Sequence, residues 1–137
     1  MQFSSPHGWR GWLWPAALAT VIVVASGRGQ VAAPHIVNFD KAAHFFVFGL
    51  LATLVARNGF VPGRAWVPIV AVSVFGLTDE WHQSFTPGRS VEFDDWVADT
   101  LGAAVAVTVY AQWPLYRATL EHSPGRKSQV SEPVRRS

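Results

Sequence analysis

The chain has 137 residues and a mass of 15.0 kDa, within the usual range for one domain and too short for a second full core. Half of its residues are hydrophobic and only 15% are charged, against roughly 25% in an ordinary soluble domain; seven Trp and nine Phe exclude a disordered chain. The absence of Cys removes disulfide scaffolds, thiolate zinc sites and thiol nucleophiles, and the formal charge of +2 gives no sign of nucleic-acid binding.

Taken in chain order, the sequence reads as four apolar spans. From Gly11 to Gly27 there is no Asp, Glu, Lys or Arg, and the run from Trp14 to Ala25, with Pro15 in its first turn, predicts a membrane helix. Arg10 ahead of the run and Val24-Ala25-Ser26 at its end also resemble a secretory signal with its cleavage site; a retained span accords better with the charge distribution. The second uncharged run, Ala42 to Ala56, covers the roughly 30 Å of a bilayer core if its helix begins near Phe39 and ends at Arg57 and Asn58. Asn38 can cap it, and Gly59 with Pro62 can stop it. The third, Ala65 to Thr78, attains spanning length by continuing helically through Asp79, Glu80, Trp81, His82 and Gln83, after which Thr86-Pro87-Gly88 turns the chain. The fourth is uncharged from Thr100 to Tyr116, starts among Asp94 to Asp99 and ends at Arg117. Runs of this length also occur as core helices of soluble proteins, but four of them with almost no polar face predict lipid surroundings. The expected fold class is all-α, an integral membrane four-helix bundle over residues 1–116, with a basic, disordered cytoplasmic tail over residues 117–137.

Charge sets the orientation. Eight Lys and Arg lie in the N-terminal segment, the loop between spans two and three, and the tail; only Arg28, Lys41 and Arg89 lie on the other side. The positive-inside rule then places both termini in the cytoplasm. Most acids fall opposite: Asp40, Asp79, Glu80, Glu92, Asp94, Asp95 and Asp99 stand at or near the outer ends of spans two to four.

Three polar clusters therefore meet at one depth. Asp40 and His44 are four apart and share a helix face, so Asp40 can orient or charge the imidazole. In the third span Asp79 and Glu80 both neighbour Gln83, and Gly76, one turn below Glu80, lets another helix approach. After the turn come Arg89, Glu92 and Asp94, then Asp95 and Asp99 one turn apart; Arg89 is expected to compensate Glu80 directly or through water. Each cluster also has a plainer account: Asp94 or Asp95 capping the fourth helix, Arg89 pairing with a carboxylate, and Trp9, Trp81 and Trp96 as interfacial belt residues. Jointly they point to a site, because ionisable groups in a lipid-embedded bundle are costly unless paired or solvated and normally face an interior cavity.

The stretches from Phe39 to Leu51 and from Gly76 to Gly102 carry D-K-x-x-H-F, E-x-x-Q-x-F-x-P-G-R and D-x-x-x-D-x-x-G. On these motifs, over roughly residues 10 to 116, the chain resembles the VanZ-like family, small multispan bacterial membrane proteins that include one associated with low-level resistance to the glycopeptide teicoplanin. The resemblance puts Asp40, Lys41, His44, Glu80, Gln83, Arg89, Asp95 and Gly102 on motif positions, with Asp99 where many members have Asn, and it implies the bacterial inner membrane. It implies no established reaction.

Three functions fit. In the first, a polar site at the extracytoplasmic face binds an envelope lipid, a lipid-linked cell-wall precursor or a glycopeptide-type amphiphile through Asp40, Lys41, Gln83, Arg89 and Asp99, with Arg89 on phosphate or carboxylate. In the second, the protein is a membrane hydrolase or transferase with Glu80 or His44 as acid/base and Asp95 with Asp99 orienting water or a divalent cation. In the third, the polar groups lock four helices together. No cofactor signature is present: P-loop, Rossmann glycine fingerprint, G-x-S-x-G and H-E-x-x-H are all missing, and metal-ligand spacing is not specific.

Overall fold

A computed structural model describes residues 8–28, 39–87 and 89–121. Among the described residues all regular structure is helical: α1 (Leu13–Ser26), α2 (Phe39–Ala56), α3 (Trp66–Gln83), α4 (Phe93–Gln112) and α5 (Pro114–Glu121), with short 3-10 turns at Gly8–Trp12 and Pro62–Arg64 leading into α1 and α3. Pro15 and Pro68 each fall in a first helical turn, where a missing N–H costs nothing. Asn38, the expected cap of α2, lies outside the described residues, as do Gly88 of the turn and the tail beyond residue 121.

The fourth helix is shorter than its uncharged run suggests. It ends at Gln112, and Trp113 leaves helical geometry with φ −109° and ψ 90°, because Pro114 disfavours the helical conformation in the residue before it. The chain then restarts as α5, so the expected boundary at residues 116 and 117 falls inside a helix, and residues 117–121 are helical rather than disordered. Tyr110 Oη donates to Glu121 Oε1 at 2.5 Å, and the Arg117 guanidinium lies 5.5 Å from the Phe60 ring centre. Both contacts fold α5 back on the bundle.

The helices alternate in direction. The C-terminal ends of α1 and α3 meet the N-terminal ends of α2 and α4: Ser26 bonds Asp79, His44 bonds Asp99, and the Glu92 N–H just before α4 bonds Glu80 of α3. At the opposite end, Asn58 after α2 donates to the Gly11 carbonyl before α1 at 3.0 Å. Acids gather at the first end, whereas Arg10, Arg57, Arg64 and Arg117 belong to the second.

The α2–α4 pair is the most extensive contact in the bundle. Its closeness comes from glycine: a Cβ at Gly102 would overlap the Phe45 carbonyl oxygen, and one at Gly49 would fall 3.1 Å from the Gly102 carbonyl oxygen. Small residues at such crossings let backbones approach and pack. Around this crossing Phe48, Leu51, Ala52, Val72, Ala103, Val107 and Tyr110 form the core. The outer faces are apolar as well, with Val21, Val24, Phe46, Leu50, Val70, Val74, Leu77, Leu101 and Val105 exposed. Two helical segments, Gly8–Ser26 and Phe39–Ala56, are long and apolar enough to cross a membrane; α3 and α4, of 18 and 20 residues, match them in length but carry acids at one end.

Gly102→Ala should destabilise the protein by at least the 1–3 kcal/mol typical of overpacking, because the added methyl meets backbone that cannot rotate away. Gly59, with nothing within 4 Å of an added Cβ, is the control, and Gly59→Ala should leave thermal unfolding in detergent unchanged.

Candidate functional site

The acidic end of the bundle is built from helical spacing. Lys41, His44 and Phe48 fall on one face of α2, Asp95, Asp99 and Gly102 on one face of α4, and Gly76, Asp79, Glu80 and Gln83 on one face of α3, each set at three- and four-residue intervals. These three faces turn inward. Asp79, Glu80, Gln83, Asp95 and Asp99 are all buried, with Asp99 0% and Glu80 1% exposed.

Two networks organise the site. In the first, His44 Nδ1 lies 2.8 Å from Asp99 Oδ1, and its Nε2 faces Asp95 Oδ2 at 3.7 Å. The imidazole stacks on Phe48 with ring centres 5.8 Å apart. Lys41 Nζ donates to Asp95 Oδ1 at 3.0 Å and lies within 3.9 Å of carboxylates on Glu92 and Asp94. Asp99 Oδ2 lies so close to α3 that a Cβ on Gly76 would fall 2.8 Å from it, which makes Gly76 the close-approach position its spacing predicts. In the second network, Arg89 Nη1 donates to Gln83 Oε1 at 2.5 Å, Gln83 Nε2 donates to Asp79 Oδ2 at 3.0 Å, and Ser26 Oγ lies 2.7 Å from the same Asp79 oxygen. This relay ties the turn after α3 to the end of α1.

The structure corrects several expectations from the sequence. His44 takes its carboxylate from α4 rather than from Asp40, which is exposed; one helical turn brings Asp40 near, but Asp99 lies directly across the glycine crossing. Arg89 rests on Gln83, and among the described residues no direct ion pair joins it to Glu80, which removes the direct form of the expected contact and not the water-bridged one; Glu80 Oε2 accepts the backbone N–H of Glu92 at 2.8 Å. Neither Asp94 nor Asp95 caps α4, whose N-cap residue is Glu92. Trp96 is half-buried and its Nε1 donates to the Ser73 carbonyl at 3.1 Å, while Trp9 and Trp81 are exposed.

Charge balance is uneven. Four buried carboxylates, Asp79, Glu80, Asp95 and Asp99, meet Lys41, His44 and Arg89, and Arg89 spends its hydrogen bond on an amide. Buried atoms without a protein partner include Asp79 Oδ1, Glu80 Oε1, Asp99 Oδ2 and Arg89 Nε. Such groups cost free energy unless a ligand, water, proton or ion completes them. Two trios could hold a metal ion: His44, Glu80 and Asp95, and Asp40, Glu92 and Asp95, each offering ligand atoms within 4.8 Å of one another. Beside the first trio lies a cavity of about 190 Å³, lined by Asp79, Gln83, Arg89 and His44 together with Ile22, Ala25, Ser26, Ala43, Val47 and Phe48.

The family model described as VanZ/LLP1 matches residues 5–116. The chain belongs to the VanZ/LLP1 family. No curated protein and no solved structure matches it. The VanZ/LLP1 span takes in α1 to α4 and all eight candidate residues, and seven of them, Lys41, His44, Glu80, Gln83, Arg89, Asp95 and Asp99, join the two networks or their Glu92 contact.

Sequence reading left three contributors out of the candidate set. Asp79 carries a visible signal, a carboxylate inside an apolar run four residues before Gln83. Ser26 has only a hydroxyl at a span end, and Glu92 meets Glu80 through its backbone N–H, which no side-chain pattern encodes, besides setting its carboxylate near Lys41.

Asp99→Asn retains an oxygen to accept from His44 and should keep the fold with a small loss of stability. Asp99→Leu strands the imidazole and should cost about 1–3 kcal/mol more. Thermal unfolding in detergent, compared at one pH, distinguishes the two; equal losses would mean that the His44 contact does not hold α2 to α4.

Proposed function

We propose that this VanZ/LLP1 protein is a four-span protein of the bacterial inner membrane whose acidic end faces outward and binds the polar head of an envelope amphiphile. The observation that carries the reading is the cavity beside Arg89: its wall combines the Arg89 guanidinium, the Gln83 amide and Asp79 with the apolar Ile22, Ala25, Ala43, Val47 and Phe48. A molecule with a charged head and a hydrocarbon part satisfies both surfaces. Arg89 has donors to spare, since Nη1 is engaged on Gln83 and Nε has no protein partner, and a planar guanidinium suits phosphate or carboxylate.

The four-span topology is supported by the polarity of the bundle. Exposed valines and leucines coat α3 and α4 while Asp79, Glu80, Asp95 and Asp99 turn inward, the arrangement that lipid demands. Retention of α1 is supported by Ser26, which stands in the signal-like Val24-Ala25-Ser26 segment yet reaches Asp79 of α3. The segregation of Arg10, Arg57, Arg64 and Arg117 at the other end supports cytoplasmic termini.

Orientation is tested by single cysteines introduced into a chain that has none. In intact cells an impermeant maleimide should label Ser90→Cys and spare Ser128→Cys, and the opposite pattern would invert the topology. Binding is tested by native mass spectrometry after gentle extraction. Wild type should carry a co-purified envelope lipid that Arg89→Ala loses while remaining folded; a protein that carries none, or a variant that keeps it, would leave the polar groups as a structural lock.

A further inference from the structure

We propose that His44, Glu80 and Asp95 bind one divalent cation of the Mn2+ or Zn2+ type at the acidic end of the bundle. The three residues come from three different helices, α2, α3 and α4, and each brings one ligand atom to within 4.8 Å of the others. The site goes beyond the amphiphile reading and does not depend on it, although His44 belongs to both walls.

Each donor is pre-set by a separate contact. Asp99 Oδ1 accepts from His44 Nδ1 at 2.8 Å, which leaves the Nε2 lone pair as the free donor; a carboxylate behind a ligating histidine is the usual means of orienting it and raising its basicity. That Nε2 stands 3.7 Å from Asp95 Oδ2. The distance is too long for a hydrogen bond but suits two ligands that each lie about 2.0–2.2 Å from one ion. Lys41 occupies the other oxygen, Asp95 Oδ1, at 3.0 Å, so Oδ2 remains for the metal. Glu80 supplies the independent sign of a ligand. It is 1% exposed, its Oε2 is held by the Glu92 N–H at 2.8 Å, and its buried Oε1 has no partner.

Charge argues the same way. Among the described residues, the basic groups that pair with Glu80, Asp95 and Asp99 are Lys41 and His44, and two positive charges at the trio would balance them. The exposed acids Asp40, Glu92 and Asp94 form the rim through which a cation would be drawn. One imidazole and two carboxylates, with no sulfur among the described residues, match Mn2+ or Zn2+ rather than a soft ion. Three protein ligands would leave a coordination position open, as in metal sites that engage a ligand.

The test uses full-length protein purified in detergent, stripped with EDTA, desalted and titrated with Mn2+ while free Mn2+ is followed by electron paramagnetic resonance. Wild type should take up one equivalent, and pulsed spectra should show nitrogen coupling from an imidazole. Glu80→Gln and Asp95→Asn should weaken uptake at least tenfold, and Asp99→Asn by about 10- to 100-fold through His44, with helical circular dichroism retained. No saturable uptake of Mn2+ or Zn2+ by wild type, or bound Mn2+ without nitrogen coupling, would overturn the site; the wild-type spectrum decides this even if a variant fails to fold. Native mass spectrometry of the same wild-type sample reads lipid separately, so either proposal can fail while the other stands.

Discussion

The contact on which the bundle depends is the crossing of α2 and α4 at Gly49 and Gly102, where no side chain separates the backbones. A Cβ at Gly102 has no room beside the Phe45 carbonyl, so the helices approach more closely than any larger residue would permit. Within about one turn of that point on each helix stand His44 and Asp99. Their 2.8 Å contact lies beside the close approach that the glycines set. Gly76 repeats the device on α3, admitting Asp99 Oδ2. Three glycines thus bring three helices close enough for short acidic side chains to share one buried space.

A second constraint is polarity turned inside out. In a water-soluble bundle the apolar stripe faces the core and charges face out; here exposed Val, Leu and Phe cover the flanks while carboxylates fill one end of the interior. The arrangement is stable only if each buried group finds a partner, and the two networks distribute partners unequally. Asp95 has Lys41 and His44, whereas Asp99 with His44, Asp79 with Gln83 and Ser26, and Glu80 with one backbone N–H each keep one buried oxygen unpartnered. Groups left short of partners in an otherwise well-satisfied structure are the natural place for chemistry or recognition.

The sequence made the helices legible because uncharged runs, prolines and glycines act locally: α2 and α3 begin and end where their runs and flanking polar residues indicate. It made the candidate residues legible because helical spacing puts Asp95 with Asp99 and Glu80 with Gln83. Partners were another matter. Asp40 and His44 share a face on one helix, and that proximity is real, but Asp99 is nearer because of an approach across 55 residues that only glycine packing sets. Charge alone points Arg89 directly or through water at Glu80, and the turn after α3 gives it a direct bond to Gln83, six residues away. The end of α4 depended on Pro114, a single residue whose effect on Trp113 outweighs an apolar run extending to Tyr116.

The helices are not equally committed to the bundle. Of α1 only Pro15, Ile22 and Ser26 are buried, and its side-chain ties to the other helices are few: the Ser26 bond to Asp79 at one end and the Asn58 bond to the Gly11 carbonyl just before it at the other. Local stability follows buried contact, so α1 costs less to displace than α2 or α4, which are joined by glycine packing and by ion pairs. The cavity beside Arg89 is walled on one side by α1, through Ile22, Ala25 and Ser26, and on the other by α2, through Ala43, Val47 and Phe48. Its loosest wall is therefore the helix whose outer face is most apolar, and the relay from Arg89 through Gln83 and Asp79 to Ser26 links the turn after α3 to that helix. A ligand that drew Arg89 away from Gln83 would act at one end of that chain of bonds, and α1 stands at the other.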